Sequence, residues 1–170
     1  MSTPEAKTFD FIVVGAGSAG CVLAARLSES GKHSVLLLEA GVKDKSPWIH
    51  IPLGYGKHFS NAAVNWLYST AANPDGLNRP VVQPRGKVLG GSSAINGMVY
   101  IRGHREDYNQ WRQLGNAGWS YEDVLPYFRK AEDQQRGEDE YHGVGGPLAV
   151  SDPYDKHPLA EAFIDAAEAA

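Results

Sequence analysis

The chain opens with an apolar run, Phe11-Ile12-Val13-Val14, in which β-branched residues favour a buried strand. Small residues and glycines fill positions 15–20. The segment Cys21-Val22-Leu23-Ala24-Ala25-Arg26-Leu27 then carries apolar positions that can turn one helical face toward a sheet. A second apolar run, Ser34-Val35-Leu36-Leu37-Leu38, predicts another strand. Residues 9–40 therefore read as strand, tight turn, helix and strand. From 41 to 84 no period survives, and prolines and glycines punctuate a long connection that holds Trp48, Tyr55, Trp66 and Tyr68. Connections of that length in a compact domain are usually functional. The simplest role for these aromatics is to bury area against the core.

Further along, residues 105–114 predict a helix ended by Gly115, with Tyr108, Trp111 and Leu114 on one face. Ser120, with Asp123 three positions later, predicts the cap of a following helix. Pro126 is expected to kink or restart that helix. Residues 133–140 crowd charge and read as a solvated, mobile loop, and residues 142–150 read as a turn feeding a strand. The pattern at 157–170 is helical and stops without a glycine cap or polar tail, so an N-terminal piece of a longer protein is expected. No internal repeat is visible.

The turn after the first strand reads Gly15-Ala16-Gly17-Ser18-Ala19-Gly20, and each glycine in it has its own physical reason. Gly15 permits the tight turn, Gly17 lets backbone approach a pyrophosphate, and Gly20 allows close packing of helix on strand. Free N–H groups at the start of the helix, with its dipole, favour the phosphate charge. Glu39 ends the second strand 19 positions after Gly20, where a carboxylate can accept both hydroxyls of an adenosine ribose. No arginine or lysine stands between Glu39 and Ala40-Gly41, which argues against a ribose 2′-phosphate and so against NADP. A purely structural glycine turn is the bland alternative, and the agreement of strand, helix, second strand and acid at the right spacing weighs against it. These elements leave NAD and FAD both open.

Composition narrows the class without naming a function. Hydrophobic residues make up 42% and charged residues 21% of the 170, the mix of a packed globular protein. A net charge of −4 offers no basic patch for nucleic acid. No apolar run approaches the roughly 20 residues of a membrane span, and the first residues lack the apolar core of a secretory signal. A cytoplasmic location is the expectation, with a peripheral membrane contact left open. Cys21 is the single cysteine, so no disulfide can form within the chain, and it reads best as a small side chain packed on the first strand. The histidines at 33, 50, 58, 104, 142 and 157 show no ligand spacing, and no metal site is expected.

A second glycine-rich segment lies at 84–103, reading PRGKVLGGSSAINGMVYIRG. Its glycine pair, serine pair, asparagine and following glycine resemble the first signature of the glucose-methanol-choline family of FAD oxidoreductases. The likeness extends through Asp107-Tyr108-Asn109-Gln110-Trp111 and Gly118-Trp119-Ser120-Tyr121 and covers essentially the whole chain. It decides between NAD and FAD in favour of FAD.

The resemblance implies an α/β, three-layer FAD/NAD(P)-binding, Rossmann-like domain. It implies cofactor contacts from Gly15, Gly17, Ser18, Ala19, Gly20, Glu39, Ala40, Arg85, Gly86, Leu89, Gly90, Gly91, Ser92, Asn96, Gly97, Met98 and Val99. Of these, Ser92 and Asn96 to Val99 would follow the pyrophosphate and isoalloxazine. Two glycines and two serines make a donor-rich surface that a phosphate or flat ring can approach, which supports the same placement on physical grounds. Ser92 and Ser93 are also expected to cap a helix starting at Ala94, and Asn96 alone would read as a turn residue.

Some members of that family attach FAD through a histidine that would fall at Ile95, so here the cofactor is expected to be non-covalent. The resemblance implies an FAD-binding domain at 1–150 with a lid-like insertion at 41–84, and the start of a truncated substrate domain at 151–170. It implies oxidation of an alcohol CH–OH by hydride transfer to flavin N5, with oxygen or a quinone as acceptor, and it leaves room for a homo-oligomer. The family's catalytic histidine has no counterpart, so no catalytic residue is assigned. A lyase or light-driven decarboxylase, and a non-catalytic nucleotide-binding piece, are the alternatives.

Overall fold

A computed structural model of the chain describes residues 7–76 and 78–169. Packing divides it into two compact units, Met1–Val99 and Tyr100–Ala170.

The first unit is built on β1 (Phe11–Val14), α1 (Ser18–Ser28) and β2 (Val35–Leu38). The strands pair in parallel, with Phe11 opposite Val35 and Val14 opposite Leu38, so a crossover is required and α1 supplies it. Gly20 is buried, and Cys21, Ala24 and Leu27 are half-buried at helical spacing, which turns that face inward. A Cβ on Gly20 would overlap the carbonyl oxygen of Gly15, so close packing here requires glycine. The open ends of β1 and β2 are stapled by side chains. The Ser34 amide and hydroxyl both donate to Asp10 Oδ2 at 2.8 Å, and these two bonds hold the Asp10 carboxyl below its ordinary pKa.

Residues 41–84 contain short structure: α2 (Pro47–His50), a 3₁₀ helix (Pro52–His58), and the antiparallel pair β3 (Tyr68–Ser69) and β4 (Val82–Gln83). Its aromatics do not bury themselves as expected. Trp48, Tyr55, Trp66 and Tyr68 are 40 to 52% exposed, with the Trp66 and Tyr68 rings stacked at 5.8 Å and Lys57 and Lys87 lying over the Trp48 and Trp66 faces. The apolar cluster of this unit is instead Val64, Val88 and Ile95, with Ile49 and Ala94 against it.

The second unit holds α3 (Arg105–Gln113), α4 (Tyr121–Ala131), the parallel pair β5 (Glu132–Gln134) and β6 (Leu148–Val150), and α5 (Pro158–Glu168). α3 ends at Gly115, whose φ of +102° suits glycine. Tyr108 meets Trp111 at 5.4 Å as the face predicts, but Leu114 is exposed. α4 starts with the expected capping box, in which Ser120 Oγ accepts from Asp123 N–H and Asp123 Oδ2 accepts from Ser120 N–H. Pro126 does not restart this helix, which runs unbroken to Ala131. The proline lacks only the N–H that would reach the Glu122 carbonyl, one turn back on an exposed face that water can satisfy. Part of the expected loop at 133–140 is also corrected: residues 133 and 134 belong to β5, and Gln134 is buried.

β5 carries the best-connected carboxylate of the unit. Glu132 is 0% exposed, and Arg102 Nη2 donates to its Oε2 at 2.6 Å while His142 Nδ1 lies 2.9 Å from its Oε1. Gly143 N–H and Gln134 Nε2 donate to the same group. Burial raises the pKa of Glu132, but the bonds from His142 and Gly143 and the Arg102 charge outweigh it and hold the carboxyl below its ordinary value.

Candidate dinucleotide site

The glycine turn after β1 is fastened from both sides. Gly15 N–H donates to Leu38 O at 2.7 Å, and Gly15 has a φ of +95° that favours glycine. Ala16 N–H donates to Glu39 Oε2 at 2.7 Å, and Gly41 N–H donates to Glu39 Oε1 at 2.8 Å. Glu39 therefore anchors the turn to the end of β2, a role the sequence reading did not foresee. Each oxygen keeps a lone pair for a further donor, so the ribose role assigned to it stays chemically open.

The second glycine segment packs directly on the first. Gly90 N–H donates to Ala16 O at 2.7 Å, and a Cβ on Gly91 would stand 2.7 Å from Gly17 Cα. Two backbones that close exclude any side chain between them. Upstream, Leu89 N–H donates to Val42 O at 2.9 Å, and Val42 pairs in parallel with Val88. A Cβ on Gly41 would overlap the Lys87 carbonyl, and one on Gly86 would overlap that of Gly91. The segments at 15–20, 39–42 and 86–92 thus meet at one place, bringing together Gly15, Gly17, Ser18, Ala19, Gly20, Glu39, Ala40, Gly86, Leu89, Gly90, Gly91 and Ser92.

The serines behave differently from the expectation. Gly91–Ala94 is a 3₁₀ turn with Gly90 at its cap, and no helix starts at Ala94. Ser93 Oγ donates to Gly90 O at 2.6 Å, while Ser92 Oγ accepts from Gly86 N–H at 3.1 Å. The hydroxyls are used inside the turn itself, which Gly90 and Gly91 shape with φ of +94° and +60°. Arg85 is exposed and turns its guanidinium back to the Pro84 carbonyl at 2.7 Å.

Asn96 to Val99 lie beside the excursion. A Cβ on Gly97 would be 3.8 Å from Tyr55 Cε2. Asn96 Oδ1 accepts from Met98 N–H at 3.0 Å, closing a turn in which Met98 takes a φ of +58°, and Val99 is 82% exposed. Such a left-handed non-glycine residue is uncommon and requires local support, which Asn96 gives.

The chemistry of this cradle suits a dinucleotide. Gly17 caps α1 without any side-chain bond, and the first-turn amides of Ser18, Ala19 and Gly20 have no acceptor within the helix, leaving donors and the positive end of the dipole for an anion. An ideal Cβ on Gly17 would have only Gly91 Cα within reach, at 3.9 Å, so the space before it is open. Cys21 Sγ donates to Ala16 O at 3.3 Å and stays half-buried, a packing role beside the turn. Among the described residues no group of three His, Cys, Asp or Glu side chains is arranged to hold a metal ion. Two clefts in the second unit, of about 430 and 500 Å³, contain none of the predicted site residues.

A parallel strand-helix-strand unit with a glycine cradle at the helix start defines an α/β, Rossmann-like nucleotide-binding protein. The family model described as GMC oxidoreductase matches residues 9–170, and the chain belongs to that family. It is 53% identical over 164 residues to an oxygen-dependent choline dehydrogenase of Vibrio vulnificus, covering 95% of this chain and 29% of that protein. A second oxygen-dependent choline dehydrogenase, from Rhizobium etli, is 50% identical over 161 residues with the same coverage. Among solved structures, pyridoxine 4-oxidase from Mesorbium loti superposes with a TM-score of 0.87 at 40% identity, over 95% of this chain and 32% of that one. A formate oxidase superposes at 0.80 and 31% identity, over 93% of this chain and 30% of that one. The chain therefore spans about three tenths of the length of these relatives.

Proposed function

We propose that this chain is the FAD-binding part of an oxidoreductase that oxidises the CH–OH group of a small alcohol, with the cofactor held non-covalently. The observation that carries the reading is the backbone contact between Gly17 and Gly91, which brings two donor-rich glycine segments to the end of β1 with Glu39 beside them. When bound, FAD supplies the hydride acceptor for alcohol oxidation. The chain's own residues bind and orient. The α1 amides of Ser18, Ala19 and Gly20 meet the pyrophosphate charge, and the free lone pairs of Glu39 meet the ribose hydroxyls. Gly17 and Gly91 keep side chains out of the phosphate path, and Asn96 fixes the turn that presents Met98 and Val99 to the ring system. Arg85, Gly86, Leu89, Gly90, Ser92 and Gly97 complete the cradle. No residue of this chain is assigned as the base that takes the alcohol proton.

Ile95 supports non-covalent binding. It is 3% exposed inside the Val64–Val88 cluster and has no nucleophilic atom. The domain reading remains FAD binding over 1–150, with 41–84 as its insertion, and a substrate domain that starts at 151. An alcohol substrate and oxygen as acceptor accord with the names of the choline dehydrogenase relatives, with a quinone as the other acceptor class. Lyase and light-driven chemistry find no support in those names, and a purely non-catalytic role is the outcome if no alcohol is turned over. A cytoplasmic enzyme, free to form a homo-oligomer, completes the proposal. Among the described residues no helix is long and apolar enough to cross a membrane.

The test is an absorption spectrum of the full-length protein, followed by acid precipitation and an oxygen-uptake assay with small alcohols. Flavin absorbance that moves entirely to the supernatant on acidification, with alcohol-dependent oxygen or quinone-dye consumption, is expected. A colourless protein that refuses added FAD and binds a nicotinamide instead would overturn the proposal. Flavin retained in the pellet would overturn its non-covalent part.

A further inference from the structure

We propose that Asn65 is a positioning residue for the cradle: its carboxamide holds the Arg85-Gly86 backbone, and through it the second glycine segment, in the shape that FAD requires. The inference rests on the reading of the cradle as an FAD site.

Asn65 is 2% exposed, and all four of its carboxamide positions are used. Its Nδ2 donates to His58 O and Phe59 O, each at 3.1 Å. Its Oδ1 accepts from Leu67 N–H at 3.0 Å and from Arg85 N–H at 3.1 Å. One side chain thereby joins the end of the 3₁₀ helix, a left-handed leucine with a φ of +55°, and the start of the second glycine segment. The backbone reinforces the same junction. Asn65 pairs antiparallel with Gly86, Trp66 N–H donates to Arg85 O at 2.9 Å, and Lys87 N–H donates to Val64 O at 2.8 Å.

From Gly86 the contacts lead straight into the cradle. Gly86 N–H donates to Ser92 Oγ, the Gly86 backbone packs on the Gly91 carbonyl, and Gly91 packs on Gly17. Four backbone groups, one of them the carbonyl of buried His58, lose their side-chain partner if the carboxamide is removed, and no apolar residue can replace it. A side chain that merely filled volume would not need this set of bonds. Among the described residues, Asn65's hydrogen bonds reach the predicted cofactor set only at Arg85 N–H, with Gly86 as its paired neighbour, so its effect on the cofactor passes through that segment.

The test uses the full-length holoprotein and its apoprotein, comparing Asn65→Ala with Val64→Ala, a neighbour whose side chain only packs. FAD affinity by titration of the apoprotein, visible circular dichroism of the bound flavin, and apoprotein melting are measured together. Asn65→Ala is expected to weaken FAD at least tenfold and alter the flavin dichroism. Val64→Ala is expected to lower apoprotein melting comparably while leaving FAD affinity within threefold. Asn65→Asp keeps an oxygen for the Arg85 and Leu67 amides but sets its second oxygen against the His58 and Phe59 carbonyls, so it is expected to lose FAD affinity at least as far as Asn65→Ala. If Asn65→Ala does not accumulate, Asn65→Ser, too short to reach Arg85, takes its place with the same expected loss. Unchanged affinity, or a loss in both alanine variants that follows melting, overturns the inference. A wild-type protein that takes up no FAD overturns the function proposed above, and this inference with it.

Discussion

Gly17 and Gly91 are the same residue type held for opposite reasons. Gly91 is required by the fold, since its φ is +60° and a Cβ would press on Gly17. Gly17 has an ordinary φ of −82° and open space where its Cβ would be, so the fold itself tolerates a side chain there and the constraint would come from the proposed cofactor. Gly17→Ala is therefore expected to cost about 0.5–1 kcal/mol of apoprotein stability, the scale of a changed cap, yet to weaken FAD at least tenfold. Gly91→Ala is expected to lose about 1–2 kcal/mol from backbone conformation alone, with further loss from overlap. Denaturant unfolding of the apoprotein and FAD titration separate the two. The glycine spacing was legible in the sequence. Which glycine the fold itself requires was not, because that depends on what stands across from each one. Glu39 was legible as the acid at the end of β2, but its hold on Ala16 and Gly41 was not, since backbone amides leave no mark on sequence.

At the level of elements, the local signals were the most readable. Ser120 and Asp123 form the box their spacing predicts, and Ser120→Ala is expected to cost about 1 kcal/mol of stability, measured by denaturant unfolding. The Ser120 hydroxyl and amide hold the Asp123 carboxyl below its ordinary pKa. Its contribution is then complete above the ordinary aspartate range and fades as pH falls through the lowered value, so the deficit of Ser120→Ala should shrink in strong acid. β5 was missed for a definable reason. Its sequence, Glu132-Asp133-Gln134, has no apolar alternation, and its two buried positions are polar: Glu132 is held by Arg102, His142 and Gly143, distant in the chain, and Gln134 donates to Glu132. Periodicity cannot reveal a strand whose inward face is a hydrogen-bond network. Asn65 escaped for the same reason, although a lone amide between Val64 and Trp66 was a visible irregularity.

For the molecule as a whole, the two units depend on different glue. The first is held at its cradle by backbone contact between glycine segments, the second at β5 by a carboxylate. Removing one partner of a buried ion pair typically costs about 3–5 kcal/mol, so Glu132→Ala is expected to destabilise residues 100–170 on that scale, read by hydrogen exchange of α4 and β6 amides. Because the Glu132 carboxyl ionises below its ordinary value, its stabilisation is fully present above the ordinary glutamate range and is lost as pH falls through the lowered value. Unfolding profiles of wild type and Glu132→Ala should converge on acidification. Parallel strand-helix-strand order and the glycine cradle were readable because they rest on local pattern, whereas the joints between distant segments needed coordinates.

The double grip of Glu39 limits how this cradle can be re-engineered. Swapping the acid for a cation is the usual route toward a phosphorylated nucleotide, but here it would release the Ala16 and Gly41 amides from their only side-chain acceptor. The glycine turn would slacken at the moment its selectivity was being rewritten. Retargeting therefore demands a surrogate acceptor for those two amides, installed before the charge is reversed.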